Sequence, residues 1–235
     1  MATSSLYDEP ELFDALLPAS PQCIEFYVQL AHQQSGPVLE LACGTGQLAV
    51  PIAQLGLPVV GIDLAGVTLD LREGDMRTLS LERRFALIFI ARNSLLHLCV
   101  TAEIEAVFKR AGEHLIPGGV LVFDIFNPDV ALLARPPGKR FPVMKTRTET
   151  FGELTVEATF DYDAVTQVNR SNWLISSSTS SDEREVPIHV RSIFPEELLL
   201  LLRVGGLRLE ERFGDYSRIR FDSGSPRQIV RCRPA

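Results

Sequence analysis

Residues 38–50 read VLELACGTGQLAV. An apolar run of the buried-strand kind delivers one acid, Glu40. A tight loop with Gly44 and Gly46 follows, and then a short helical segment begins. Glycine lets a backbone turn sharply and lets a ligand approach it closely. The carboxyl end of a strand followed by a helix N-terminus is a preformed crevice. A dinucleotide site uses such a crevice for pyrophosphate. Here Glu40 stands just before the loop, where its charge opposes a phosphate and suits a cationic ligand.

The pattern extends outward on both sides. Upstream, PELFDALL and QCIEFYVQLAHQQ read as two helices separated at Pro18–Pro21, with Ser20 before Pro21 as an N-cap with proline in the first turn. Downstream, VVGIDL is a second buried strand ending in Asp63, a carboxylate able to accept from a ribose diol. VTLDLREGD reads as a third strand, and its end brings Asp75 and Met76, an acceptor for an exocyclic amine beside an apolar cover. RFALIFIA is a fourth strand; it ends at Ala91 and runs into Arg92, Asn93 and Ser94, with His97 just beyond. TAEIEAVFKRAGEHL has helical apolar spacing, with Thr101 read as its N-cap, and GVLVFDIF is a fifth strand. This alternation over residues 36–127 predicts an α/β fold with a doubly wound, mostly parallel sheet.

After Asn127-Pro128 the texture changes. RPPGKRFP reads as a linker or lid, and residues 151–178 read as two strands around a turn at Asp161–Thr166. REVPIHVRSIF is a further strand, PEELLLLLRVGG a helix, and LRLEERFGDY and SPRQIVRCRP closing strands. The expected organisation is an N-terminal helical lid over 1–34, a core over 35–127 and 194–235, and an antiparallel β insertion over 128–193 that covers substrate or forms a dimer face.

Composition narrows the function. A net charge of −7 over 235 residues argues against a nucleic-acid footprint, which needs clustered lysine and arginine. The four cysteines show no paired spacing and read as reduced thiols, and the four histidines form no metal-ligand pattern. No signal peptide and no membrane-length apolar run is visible, so a cytoplasmic protein is expected.

Together PVLELACGTG, VVGIDL, EGDM, ARNSLLHL and PGGVLVFDIFNP resemble the class I S-adenosylmethionine-dependent methyltransferases, over roughly residues 36–127. The C-terminal stretch is similar to that family's ending, in which a reversed last strand enters the sheet antiparallel. Within the family, the opening YDEPELFDALLP and the insertion resemble small-molecule enzymes, such as amino-sugar N-methyltransferases and glycine N-methyltransferase-like proteins. The resemblance implies that Glu40, Ala42, Gly44 and Gly46 hold the methionine part of S-adenosylmethionine and that Asp63 holds its ribose with Leu64 beside it. It implies that Asp75 and Met76 frame the adenine, and that Ala91 and Arg92 lie under the methionine moiety. Tyr7 is a candidate to close over the sulfonium, and His97 or Tyr7 to assist deprotonation of an amine. Two departures stand out: Ala42 replaces the first glycine of the family's E/DxGxGxG pattern, and Ala86 stands where an acidic residue is often found after the phenylalanine of the fourth strand.

The expected reaction is in-line methyl transfer to N or O of a small molecule, without a metal, by a monomer or homodimer that engages neither nucleic acid nor membrane. Two alternatives remain at this point. CGTGQLA also satisfies GxGxxA, which fits a nicotinamide-dependent oxidoreductase, and a non-catalytic S-adenosylmethionine-binding module is the other. One feature conflicts with the pattern. A parallel crossover needs about 10–12 residues or more, yet only Ala65 and Gly66 separate the second strand from the third if the latter starts at Val67. A hairpin would carry Asp75 away from Asp63. We expect that the natural chain has further residues between Ala65 and Gly66, with a true deletion as the other explanation.

Overall fold

The computed structural model describes residues 6–63, 71–180 and 182–235. In chain order the helices are α1 (Pro10–Leu16), α2 (Pro21–Gln34), α3 (Ala49–Ala53), α4 (Thr101–His114), α5 (Val130–Leu133) and α6 (Pro195–Val204). The strands are β1 (Val38–Leu41), β2 (Val59–Asp63), β3 (Leu71–Glu73), β4 (Phe85–Ile90), β5 (Leu115–Phe126), β6 (Phe141–Thr148), β7 (Gly152–Asp163), β8 (Val168–Ser177), β9 (Arg184–Arg191), β10 (Leu207–Phe213) and β11 (Arg227–Pro234). The chain divides into two units: residues up to Pro18 with Pro128–Ser192, and Ala19–Asn127 with Ile193–Ala235.

The larger unit holds a seven-stranded sheet in the order β10-β11-β5-β4-β1-β2-β3. β3, β2, β1, β4 and β5 pair in parallel, while β11 lies antiparallel between β5 and β10. This is the doubly wound, mostly parallel sheet that the alternation predicts, with the reversed last strand that the resemblance implies. Parallel strands covered on both faces read as unbroken apolar runs, and β1 and β4 are buried along their whole length. On one face, Cys23, Phe26, Tyr27, Leu30 and Ala31 of α2 cluster with Leu48, Ile52, Val38, Leu87, Phe89 and Val122. On the other face Phe108 of α4 stacks on Phe123 of β5, ring centroids 5.4 Å apart.

α2 starts as its sequence signal predicts. The Ser20 hydroxyl accepts from the Cys23 amide at 3.2 Å with Pro21 in the first turn, and the helix ends at Ser35, which is left-handed at φ 48°. Its buried stripe places it with the sheet rather than with α1, so the N-terminal segment expected as one piece over 1–34 divides between Pro18 and Ala19. α4 begins at Thr101 itself; Val100 takes the cap position without a side-chain cap, so Thr101 is not the N-cap.

Of the expected third strand, the described residues hold β3 from Leu71 to Glu73, and residues 67–70 lie outside them. Among the described residues, pairing runs from Gly61↔Leu71 to Asp63↔Glu73, in parallel, which excludes a hairpin between β2 and β3. The Gly74 amide donates to the Asp63 carbonyl at 2.8 Å, so Asp63 and Asp75 lie at one end of the sheet. The expected interruption between Ala65 and Gly66, and Leu64, lie outside the described residues.

The smaller unit is an antiparallel meander, β6-β7-β8-β9. Along β7, Leu154, Val156 and Ala158 alternate as buried residues, the period of a sheet with one covered face. Leu154 and Val156, with Ile175 and Val186 of the neighbouring strands, pack with Leu12 and Leu16 of α1. The β7–β8 turn spans 164–167, with Gln167 left-handed, and overlaps the expected turn at Asp161–Thr166, whose first three residues continue β7. β6 and α5 are additions that the sequence reading left unassigned.

Candidate active site

Four adjacent strands, β4, β1, β2 and β3, end at the same edge of the sheet, and each ends in residues singled out from the sequence. After β1 the chain enters the loop at Ala42, which is left-handed at φ 57°, followed by Gly44 at φ 52° and Gly46 at φ 81°. Ala42 thus occupies a conformation in which a side chain costs about 1–2 kcal/mol. That cost is what the family's glycine at this position avoids. The Cys43 amide donates to the Ile62 carbonyl at 3.1 Å, extending the β1–β2 ladder by one bond into the loop. The Gly44 amide donates to Asp63 Oδ2 at 2.8 Å, so the end of β2 clips the loop in place. A Cβ built at Gly44 would meet nothing within 4 Å. The backbone there is bare and open to a ligand.

Glu40 is 3 % exposed, and its Oε2 is buried without a hydrogen-bond partner. The Ala49 amide at the start of α3 donates to its carboxylate, and the positive charge of Arg92 acts on it favourably. Burial still dominates and raises its pKa well above the ordinary 4.5, with Asp63 adding to the rise. A buried acceptor with no partner costs about 1–3 kcal/mol. An ammonium delivered to Oε2 would remove that cost and let the group ionise. The Cys43 thiol is pushed up to about 12 by burial and by the charges of Glu40 and Asp63, so it stays protonated and inert.

The Asp75 carboxylate is held by Arg77: the Arg77 amide donates to Oδ1 at 2.8 Å, and Nε and Nη2 engage both oxygens. Those bonds, first among the causes, hold Asp75 below the ordinary carboxylate value. Arg77 also reaches Glu103 on α4. Lone-pair directions of Asp75 are thus already taken up by a guanidinium. Met76 is half-buried beside it. At the end of β4, Ala91 is buried, and Arg92 and Asn93 form a turn with φ of 58° and 67°.

The two candidates for proton transfer sit differently. His97 closes a 3-10 turn, Ser94–His97, with its ring exposed. Tyr7 lies on another 3-10 turn, Leu6–Asp8, in the smaller unit, 42 % exposed and with its ring 5.6 Å from that of Phe13.

Asp124 escaped the sequence reading. It is fully buried at 0 % exposure, near the carboxyl end of β5. Tyr27 donates to Oδ1 at 2.6 Å, Tyr216 to Oδ2 at 2.8 Å, Arg227 Nη1 to Oδ2 at 3.1 Å, and the Arg92 amide to Oδ1 at 3.0 Å. The signal was present: an acid inside the apolar strand VLVFDIF must find partners when buried. Asn93 was also passed over; its Oδ1 is buried without a partner. No group of His, Cys, Asp and Glu able to hold a metal ion occurs among the described residues, and no described helix is long and apolar enough to cross a membrane.

Comparison with known proteins agrees with this geometry. Residues 38–119 match the family described as "Methyltransferase domain". Over 101 residues the chain is 33 % identical to the dTDP-3-amino-3,6-dideoxy-alpha-D-glucopyranose N,N-dimethyltransferase of Streptomyces fradiae, a match that covers 39 % of this chain and 40 % of that relative. Among solved structures, the chain is similar to the CcbJ methyltransferase from Streptomyces caelestis, with a TM-score of 0.78 and 28 % identity over 92 % of this chain and 97 % of that one. It has the same fold as an S-adenosylmethionine-dependent methyltransferase from Clostridium acetobutylicum, with a TM-score of 0.77 and 17 % identity over 96 % of this chain and 97 % of that one. Residues 38–119 are a methyltransferase domain, and the chain around them has the class I methyltransferase fold.

Proposed function

We infer that this chain, a class I methyltransferase by domain and fold, transfers a methyl group from S-adenosylmethionine to an amine of a small molecule. The observation that carries this is the buried, unpartnered Oε2 of Glu40 beside the bare backbone of Gly44. A buried carboxylate short of one donor fits an ammonium, and the amino group of the methionine moiety is one. A nicotinamide dinucleotide would instead bring a pyrophosphate to the loop, against the charge of Glu40.

Bound S-adenosylmethionine supplies a methyl group already activated by its sulfonium, which passes in line to the lone pair of the acceptor. The chain's own work is placement. Glu40 pairs with the ammonium and the Gly44–Gly46 loop admits the methionine chain. Asp63, steadied by the Gly44 amide, accepts from the ribose hydroxyls. Asp75 and Met76 flank the adenine, and Ala91 and Arg92 support the methionine portion from the end of β4. An acceptor ammonium must lose a proton before its nitrogen can attack, and we assign that proton to His97 or Tyr7. The dTDP-amino-sugar relative supports an amine on a sugar as the acceptor class. Neither nucleic acid nor membrane enters this reading.

Titration calorimetry with S-adenosylmethionine and with NAD is the first test. Saturable binding of the former alone is expected, followed by formation of S-adenosylhomocysteine with amino-sugar nucleotides; binding of NAD alone would overturn the assignment. His97→Ala and Tyr7→Phe then decide the base. The correct one lowers kcat about 100-fold and shifts the pH profile, leaving donor affinity in place.

A further inference from the structure

Asp124 lies outside the donor contacts proposed above, yet it holds one of them from behind. Its Oδ1 accepts the Arg92 amide at 3.0 Å, and its main-chain carbonyl accepts the Asn93 amide at 3.1 Å. One residue of β5 thus takes both amides of the turn that leaves β4. That turn consists of two successive non-glycine residues in the left-handed region, φ 58° and 67°. Asparagine tolerates this conformation, whereas arginine at such a position costs about 1–2 kcal/mol. Such a backbone persists where its surroundings over-determine it.

We propose that Asp124 is a positioning residue: its carboxylate clamps the Arg92–Asn93 turn in the left-handed form, and the turn in that form sets Ala91 and Arg92 for the methionine end of the donor. Asp124 acts through the turn and touches no donor atom. The inference rests on the S-adenosylmethionine site proposed above.

The clamp requires a carboxylate, because both oxygens face groups that can only donate. Oδ1 faces the Arg92 amide and Oδ2 faces the Arg227 guanidinium. The Tyr27 and Tyr216 hydroxyls can turn and accept instead. An amide in place of the carboxylate puts its NH2 against one of the two N–H donors in either orientation. Asp124→Asn is therefore expected to break the clamp while keeping the shape.

The test compares Asp124→Asn, Tyr27→Phe and Arg92→Gly, with Asp124→Asn also made in the Arg92→Gly background. Donor affinity is read by calorimetry, stability by thermal melting, and the turn itself by hydrogen exchange of the Arg92 and Asn93 amides in ligand-free protein. Asp124→Asn is expected to weaken donor binding about tenfold and to speed exchange at both amides. Tyr27→Phe removes a different bond from the same oxygen and leaves the Arg92 amide its acceptor. It is expected to lower the melting temperature while holding donor affinity within about twofold. In the Arg92→Gly background the loss caused by Asp124→Asn should shrink to under about threefold, because glycine takes the left-handed turn without a clamp. If Asp124→Asn alone does not fold but the double variant folds and binds, the clamp is supported. The proposal falls if the loss is equal in both backgrounds, if Tyr27→Phe weakens binding as much as Asp124→Asn, if exchange is unchanged, or if neither the single nor the double variant folds. Wild-type protein that binds no S-adenosylmethionine would remove the donor assignment, and the exchange data would still decide the clamp.

Discussion

Glu40 and Asp124 are both buried carboxylates on the larger unit's sheet, and they are satisfied to opposite degrees. Asp124 receives two tyrosine hydroxyls, an arginine and a main-chain amide. Glu40 receives the Ala49 amide and keeps one oxygen without a partner. A buried charge is tolerated when it is paired and hydrogen-bonded. Asp124 meets that requirement within the fold, so its role is to hold structure. Glu40 does not among the described residues, which is what the proposed pairing with a ligand ammonium rests on. The two acids differ in the degree of their satisfaction rather than in burial.

The contrast can be broken at several points. The largest effect is expected from Asp124→Ala, which leaves Arg227 and two tyrosine hydroxyls without their shared acceptor. It should cost about 3–5 kcal/mol of stability, read by denaturant unfolding; a loss under about 1 kcal/mol would mean that Asp124 is not a structural hub. Glu40→Gln should do the reverse. S-adenosylmethionine binding should weaken about 100-fold in calorimetry, while ligand-free stability holds or rises because a buried, poorly paired acid has been removed. A fall in stability like that of Asp124→Ala would erase the distinction.

The pH dependence sharpens it further. Burial raises the pKa of Glu40 above its ordinary 4.5, so the folded chain holds this proton more tightly than the unfolded one. The resulting stabilisation is fully present below 4.5 and drains as the pH climbs toward the raised value, by up to about 1.4 kcal/mol per pH unit. Over the same window donor affinity should increase with pH and binding should release a proton, visible as a buffer-dependent enthalpy. Both trends should vanish in Glu40→Gln. The smallest effect concerns the loop beside Glu40. Ala42→Gly relieves about 1–2 kcal/mol of left-handed strain and gives back about 0.4–1 kcal/mol through a freer unfolded chain. A slight rise in melting temperature with unchanged donor affinity is expected; a clear drop would show that the Ala42 methyl group packs against something the loop needs.

Much of this was legible in the chain. Glu40, Gly44, Gly46, Asp63 and Asp75 emerged because strand ends and glycine turns follow local periodicity, and their strands do end at one edge of the sheet. The closing strands were legible in the chain after Gly206, and their reversal came from the resemblance to the methyltransferase family. Asp124 was not, because its meaning depends on Tyr27, Tyr216 and Arg227, residues 92–103 positions away in sequence. The engagement of Asp75 by Arg77 was equally hidden: two residues of spacing do not say that a guanidinium folds back on the carboxylate.

The sequence by itself determined the order of strands and helices in the larger unit, the loop that follows β1 and the acids at the strand ends, since each of these is written in neighbouring residues. Only the tertiary structure decided which buried acid is complete and which is waiting. Hydrogen-bond satisfaction is a property of groups brought together from distant parts of the chain, and no local pattern records it.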